Sequence, residues 1–285
     1  MSLPLLFDDA AIFPPGNLGL AEAVVAHRRH RRAPYAALVG PLVVDLPRLE
    51  ELQRLTHLLG EEPLDLCLVV PDAAGAVTAV EAMEAVGGWR SEAAAGLRLV
   101  AIEVRVAEVA GLRAALAEVA ALSGVAEVGA EGSGLTVVVE LPRGPRSAAV
   151  IVDLAGTTYR AKIRTGGTEA AAYPDEAELA DTLRALAEAG VRFKATAGLH
   201  HALRHTDPVT GFEEHGFLNL LAATDAAARG ADGAEIAAVL AHRDATALLT
   251  LPARTGLPTT SALESIGTCS IDQPVADLRR MGLIP

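Results

Sequence analysis

The sequence predicts an α/β fold in which eight βα units close into a (β/α)8 TIM barrel, and three observations lead there. Apolar, β-rich runs recur along the chain with helix-like stretches between them, the alternation that a parallel sheet requires. The 285 residues suffice for one such barrel, which takes about 250. Hydrophobic residues make up 51% of the chain, with much alanine and valine and only 3% aromatic residues, a composition suited to small-residue helices packed on buried parallel strands.

Taken in order, the candidate strands cover residues 5–13, 36–44, 64–70, 97–104, 135–141, 160–165, 191–196 and 265–270. Stretches with apolar residues at helical spacing lie between them at 46–59, 73–86, 109–121 and 176–189. The weakest helical pattern is 147–156, shorter than an ordinary crossover helix. Glycine and proline punctuate the strand ends at Pro14-Pro15-Gly16, Pro71, Pro142-Arg143-Gly144-Pro145, Gly166-Gly167 and Gly198, which marks turns on one face of the barrel. The glycine-rich stretch 129–134 enters a strand instead of leaving one, so it reads as a turn and not as a dinucleotide-binding phosphate loop. No linker with a shift in composition appears, and residues 1–285 read as one domain. Between the seventh and eighth strands, residues 199–264 exceed what one crossover helix needs. They read as an inserted, lid-like segment with helical patterning at 217–228 and 233–242, a loop at 207–211 and a further run at 251–260.

The net charge of −12 and the scarcity of aromatic side chains argue against nucleic acid and membrane surfaces as partners, since both call for a positive field. The one strong basic block, His27-Arg28-Arg29-His30-Arg31-Arg32, follows the first predicted helix, where cations complement the negative end of its dipole. Cys67 and Cys269 fall in different predicted strands and offer neither a disulfide framework nor a metal knuckle. The N-terminal stretch meets Asp8 and Asp9 before a long apolar core forms, and no apolar run reaches the ~18 residues of a spanning helix. A cytoplasmic protein is expected.

Two segments carry the chemistry. Residues 161–167 and 191–198 each run a lysine, Lys162 or Lys194, into a glycine turn, and barrel chemistry sits where strands end. The two amines are therefore expected side by side at the barrel mouth, where one ammonium makes its neighbour harder to keep protonated and a neutral amine attacks carbonyls. Strand alternation gives Arg164 the orientation of Lys162, and gives Arg192 and Thr196 that of Lys194. Glu103, with Arg105 in the same parity, and Glu140 add acids on the fourth and fifth strands; charges inside a barrel are costly unless paired or bound to something charged. Cys269 reads as a small strand-end residue.

These motifs resemble, in order along the chain, the deoxyribose-phosphate aldolase family, class I Schiff-base aldolases on a (β/α)8 barrel. The likeness runs through the acidic first strand Phe7-Asp8-Asp9 leading to Pro14, the third-strand end Val70-Pro71 with Gly75, Lys162 before Thr165-Gly166, Lys194 before Ala197-Gly198, and Gly267-Thr268-Cys269-Ser270 on the last strand. The resemblance implies that Lys162 forms the iminium, that Lys194 lowers its pKa and that Glu103, in place of an aspartate, moves protons. Departures are Ile163-Arg164 for two small residues, Ala197 for a glycine, Cys269-Ser270 for paired serines and Arg192 for a small residue.

The expected function is thus a Schiff-base aldolase or related carbon–carbon lyase acting without a cofactor on a small carbonyl compound, phosphorylated or carboxylated, in a monomer or homo-oligomer. Asp8, Arg164, Thr165, Gly166, Gly198, Gly267 and Ser270 are its candidate substrate-binding residues, joined by His200, His201 and Arg204 from the insertion. Four of the eight histidines fall between residues 200 and 215. His201 and His205 lie four apart, which on a helix puts both on one face; with His215 they define an alternative, a zinc- or manganese-dependent lyase or hydrolase. A second alternative is a metabolite-binding barrel without catalysis.

Overall fold

The computed structural model describes residues 6–55, 63–85, 96–105, 109–123, 134–144, 146–250 and 262–285. Parallel strands β1 (Leu6–Asp9), β2 (Val39–Asp45), β3 (Leu64–Val70), β4 (Leu97–Val104), β5 (Thr136–Glu140), β6 (Arg160–Arg164) and β7 (Phe193–Thr196) are followed by a two-stranded hairpin, β8 (His205–Thr206) and β9 (Glu213–Glu214), and then by β10 (Leu263–Thr268). The ring closes in the order β1-β10-β7-β6-β5-β4-β3-β2, a (β/α)8 TIM barrel. Around it lie α1 (Leu20–Arg31), α2 (Leu49–Arg54), α3 (Ala73–Ala85), α4 (Val109–Ser123), α5 (Arg146–Leu154), α6 (Glu176–Ala189), α7 (Phe217–Ala228), α8 (Gly233–Ala241), α9 (Ala245–Leu249) and α10 (Asp272–Arg280).

Strands buried on both faces need near-continuous apolar runs, and β3 supplies one in Leu64, Leu66, Cys67, Leu68 and Val70. Helix α6 begins where Asp175 accepts a hydrogen bond from the Glu178 amide and ends at Gly190, whose φ of 65° suits the left-handed cap. The short α5 still buries Val150, Ile151 and Leu154 along one face. In α1 the basic block fills the last turn, as its dipole favours. Its histidines are structural: His27 meets Asp9 at 3.1 Å and His30 meets the Tyr35 hydroxyl at 2.9 Å.

Three expectations change. The first strand ends at Asp9, and residues 10–16 turn over the barrel mouth. The last strand starts two residues earlier than expected, which moves Cys269 and Ser270 into the loop beyond it. Most of the inserted segment is not a lid. Helix α7 buries Phe217, Leu218, Leu220 and Leu221 and packs on α6, α8 and β10, and Phe217 meets the Phe7 ring edge-on at 5.2 Å, so α7 is the outer helix that follows β7. Only residues 199–216, with their hairpin, rise over the mouth; the run 251–260 lies outside the described residues. Among the described residues no helix is long and apolar enough to cross a membrane.

Candidate active site

On β6, Ala161 and Ile163 join the hydrophobic core, and Lys162 between them points the other way, into the barrel; on β7, Phe193 and Ala195 flank Lys194 in the same manner. The lysines are register partners on adjacent strands and each is 4% exposed. Glu103 from β4 stands between their amines: Lys162 Nζ donates to Oε2 at 2.6 Å, and Lys194 Nζ donates to Oε1. Lys194 also donates to Asp8, while Lys162 Nζ lies 3.0 Å from Glu140 Oε2. Ser265 Oγ donates to Asp8 at 2.9 Å, the Cys67 thiol donates to Glu103 at 3.3 Å, and Arg105 and Arg164 pair with Glu140. Each buried charge thereby has an opposite partner, without which its burial would cost several kcal/mol.

These contacts set the proton affinities. Burial opposes ionisation of Glu103, but the ammonium groups of Lys162 and Lys194 outweigh it and hold the carboxyl well below the usual range. Burial opposes ionisation of Glu140 too, and Lys162 with Arg105 and Arg164 brings it down to about 2. At Asp8 burial prevails over Lys194 and the carboxyl is raised. Burial disfavours the Lys194 ammonium, yet Asp8 and Glu103 push its pKa well above the ordinary lysine value. Lys194 is therefore a fixed positive charge, and the repulsion expected between bare ammonium groups is tempered by the carboxylate between them.

A cavity of about 960 Å³ opens at the C-terminal ends of the strands, with Lys162 and Glu103 at its floor. Arg164, Gly166, Gly198, Gly267 and Ser270 line it, together with Cys269 and Gln273. Three expectations of substrate contact are corrected. Asp8, like Lys194, sits beneath the cavity because its carboxylate is taken up by Lys194 and Ser265. Thr165 is fully buried, and its hydroxyl clasps the end of β7 by donating to the Ala197 carbonyl at 2.6 Å. Arg204 is held away from the cavity by Glu176 at 2.7 Å and Glu213 at 3.4 Å. Arg192, with Arg160, pairs with Glu264 where those strands begin, at the end opposite the cavity.

The histidines divide. His200 and His201 line the cavity; His200 Nδ1 is 3.7 Å from Cys269 Sγ, and His201 Nδ1 is 3.2 Å from Asp277 Oδ2. Burial lowers the pKa of His200 and raises that of Cys269. No helix carries His201 and His205: the chain bends into β8, and the two rings meet edge to face at 4.6 Å. His215, fully buried, donates from Nε2 to the Pro174 carbonyl at 2.8 Å and accepts from Arg204 at Nδ1. The trio of the metal alternative is not assembled, and among the described residues no group of three or more His, Cys, Asp or Glu is arranged to hold a metal ion.

Several cavity residues carry no sequence signal. Tyr173 precedes α6, and its ring lies over the two strand-end glycines: a Cβ on Gly166 or Gly198 would come within 2.8 or 2.9 Å of it. Phe212 and Glu214 come from the hairpin, with the Phe212 ring 5.4 Å from that of Tyr173. Gly40 is what admits the Asp8 carboxylate, since a Cβ there would fall 2.1 Å from Oδ1. No local motif joins these residues; each acquires its place only when distant segments meet.

No protein-family model matches the chain, and no curated protein matches it. Among solved structures it is similar to a glycerophosphoryl diester phosphodiesterase from Parabacteroides distasonis, at 18% identity and a TM-score of 0.34 over 61% of this chain and 50% of that one. It is similar to dihydrodipicolinate synthase from Bacillus clausii at 14% identity and a TM-score of 0.38, over 68% of this chain and 62% of that one. A multifunctional pyruvate carboxylase from Rhizobium etli matches at 13% identity and a TM-score of 0.40, over 81% of this chain and 26% of that one. The chain thus spans less than two thirds of each of these proteins, and the barrel assignment rests on the strand order itself.

Proposed function

We propose that this barrel is a class I, Schiff-base-forming aldolase or related carbon–carbon lyase acting on a small anionic carbonyl compound. The observation that carries the reading is a lysine amine at the floor of a large cavity, 2.6 Å from a carboxylate that also binds a second, buried lysine. Lys162 gives up its proton to solvent in the cavity and attacks the substrate carbonyl carbon as a neutral amine, with the ionised Glu103 holding its amine in place. Loss of water from the resulting carbinolamine leaves a protonated iminium. The electron pair of the breaking carbon–carbon bond flows into that iminium to give an enamine, which is protonated and hydrolysed to free Lys162. Lys194, held positive below the cavity, draws Glu103 into place between the two amines.

Arg164 and the wall formed by Gly166, Gly198, Gly267 and Ser270 are suited to a phosphate or carboxylate, through the guanidinium and the Ser270 hydroxyl. The test is borohydride trapping with a panel of aldehydes and 2-keto acids, read by peptide mass spectrometry. The adduct is expected on Lys162 and absent from Lys162→Ala; an adduct on Lys194 would reverse the two roles, and no adduct with any substrate that turns over would end the reading.

A further inference from the structure

The mouth of the cavity holds a second polar group, remote from the lysine network. Glu214, on β9 of the hairpin, is 6% exposed and lines the cavity, and Tyr173 lines it beside Glu214. Tyr173 Oη lies 3.1 Å from the Gly167 carbonyl and 3.1 Å from Glu214 Oε1. A hydroxyl has a single proton to donate, and an ionised carboxylate and a carbonyl both only accept. Both contacts are satisfied at once when Glu214 carries a proton: Glu214 donates to Tyr173 Oη, and Tyr173 donates to Gly167. The other carboxyl oxygen, Oε2, faces His205 Nε2 at 3.8 Å, a buried nitrogen without a hydrogen-bond partner, while His205 Nδ1 is 3.2 Å from the Leu203 carbonyl. The carboxyl is therefore gripped by one hydroxyl and otherwise open to the cavity and to an imidazole.

We infer that Glu214 is the acid–base group of the carbon–carbon step, with Tyr173 as its positioning residue, and that the substrate is a β-hydroxy carbonyl compound whose hydroxyl points at the hairpin. The inference rests on Lys162 forming the iminium. In cleavage, the ionised Glu214 takes the proton of the substrate hydroxyl. The O–H electron pair forms the new C=O bond, the carbon–carbon bond breaks, and its pair passes into the Lys162 iminium to give the enamine. In condensation, protonated Glu214 returns that proton to the aldehyde oxygen as the bond forms. The geometry suits this division of labour, because Tyr173 rests on Gly166 and Gly198, which follow Lys162 and Lys194 toward the C-terminal ends of their strands, and Glu214 and Lys162 line the same cavity. The surroundings of the Glu214 carboxyl act on its proton affinity in both directions. Burial raises its pKa, while Tyr173, His205 and His201 lower it and Asp207 raises it further.

The test uses the full chain, a β-hydroxy carbonyl substrate found by the trapping panel, and the variants Glu214→Gln, Glu214→Asp and Tyr173→Phe. Glu214→Gln is expected still to form a borohydride-reducible adduct on Lys162, which also reports an intact fold, while kcat falls roughly 10²–10⁴-fold. Its pH–rate profile should lose one limb, and Glu214→Asp should restore part of the rate and the limb. When Glu214 ionises, the single Tyr173 proton turns from Gly167 to the carboxylate; Tyr173→Phe removes that donor and should move the limb to higher pH. An intact adduct with unchanged turnover and pH profile in Glu214→Gln overturns the inference and leaves the Lys162 reading standing. Absence of an adduct from the wild-type protein overturns both. Should Glu214→Gln not fold, an unmoved limb in Tyr173→Phe overturns the inference on its own.

Discussion

Replacing Lys194 by methionine keeps the volume of the side chain and removes its charge, and the structure sets the size of the consequence. Lys194 is the cation shared by Asp8 and Glu103, at 4% exposure, so its loss leaves Asp8 with Ser265 alone and Glu103 with Lys162 and the Cys67 thiol. Breaking a buried pair from one side costs about 3–5 kcal/mol, because an uncompensated charge stays behind. The cost should depend on pH. Asp8 already has a raised folded-state pKa, and without Lys194 that pKa rises further; a group raised on folding contributes stability that is present below its unfolded pKa and lost as pH rises through its folded pKa. The penalty is therefore full at pH 7 and shrinks as the solution is acidified toward the unfolded aspartate value. Lys194, itself raised on folding, contributes no slope in that window, since it is charged in both states there. Denaturant titrations at pH 7 and pH 5 measure both quantities. Adding Asp8→Asn to Lys194→Met should recover part of the loss at pH 7 and flatten the difference between the two pH values. A Lys194→Met penalty under about 1 kcal/mol at pH 7, equal at pH 5, would refute the buried network.

Other perturbations probe separate parts of the site. In turnover, Lys194→Met should move the pH–rate profile upward, because Glu103 then bears on Lys162 without a competing cation. Arg164→Ala should chiefly raise KM for anionic substrates, by about 10- to 100-fold if one charge-assisted hydrogen bond is lost, with Arg164→Lys in between; an unchanged KM would remove Arg164 from substrate binding. Ala197 is held at φ 68°, where a residue with a Cβ is strained by about 1–2 kcal/mol, so Ala197→Gly should stabilise the fold by roughly half of that after the entropy of glycine in the unfolded chain, measurable as a rise in denaturation midpoint. Exhaustive EDTA treatment should leave turnover unchanged; activity lost to the chelator and restored by zinc or manganese would return the metal-dependent reading to the front.

How far the sequence could be read depended on whether the determining interaction is local. Strand alternation is a local property, and it was enough to place Lys162 and Lys194 on the inner face of neighbouring strands and Glu103 with them. The continuous apolar runs of β3 and β4 bounded those strands at 64–70 and 97–104 as expected. The apolar run after Asp9 misled because Ala11 and Ile12 are buried by packing in a turn and not by a strand ladder. The insertion misled in a similar way: α7 is apolar on nearly every side, which marks a helix enclosed by neighbours, whereas a lid helix would keep a polar face toward water.

The remaining gap has one physical origin. Alternation tells which way a side chain points, but the stagger of a closed barrel decides which charge it meets. Glu103 is the register partner of Val138, yet its carboxylate reaches the amines of β6 and β7, and Asp8 on β1 meets Lys194 across β10 although the register sets it two residues further along, with Gly40 leaving room for the carboxylate. The same holds at the mouth, where Tyr173 and Glu214 are brought together by a loop and a hairpin that share no periodicity. Charges inside the barrel can thus be foreseen from one sequence as a set, while their pairing, and with it the division between a charged lysine below the cavity and a reactive one at its floor, follows from closure of the ring.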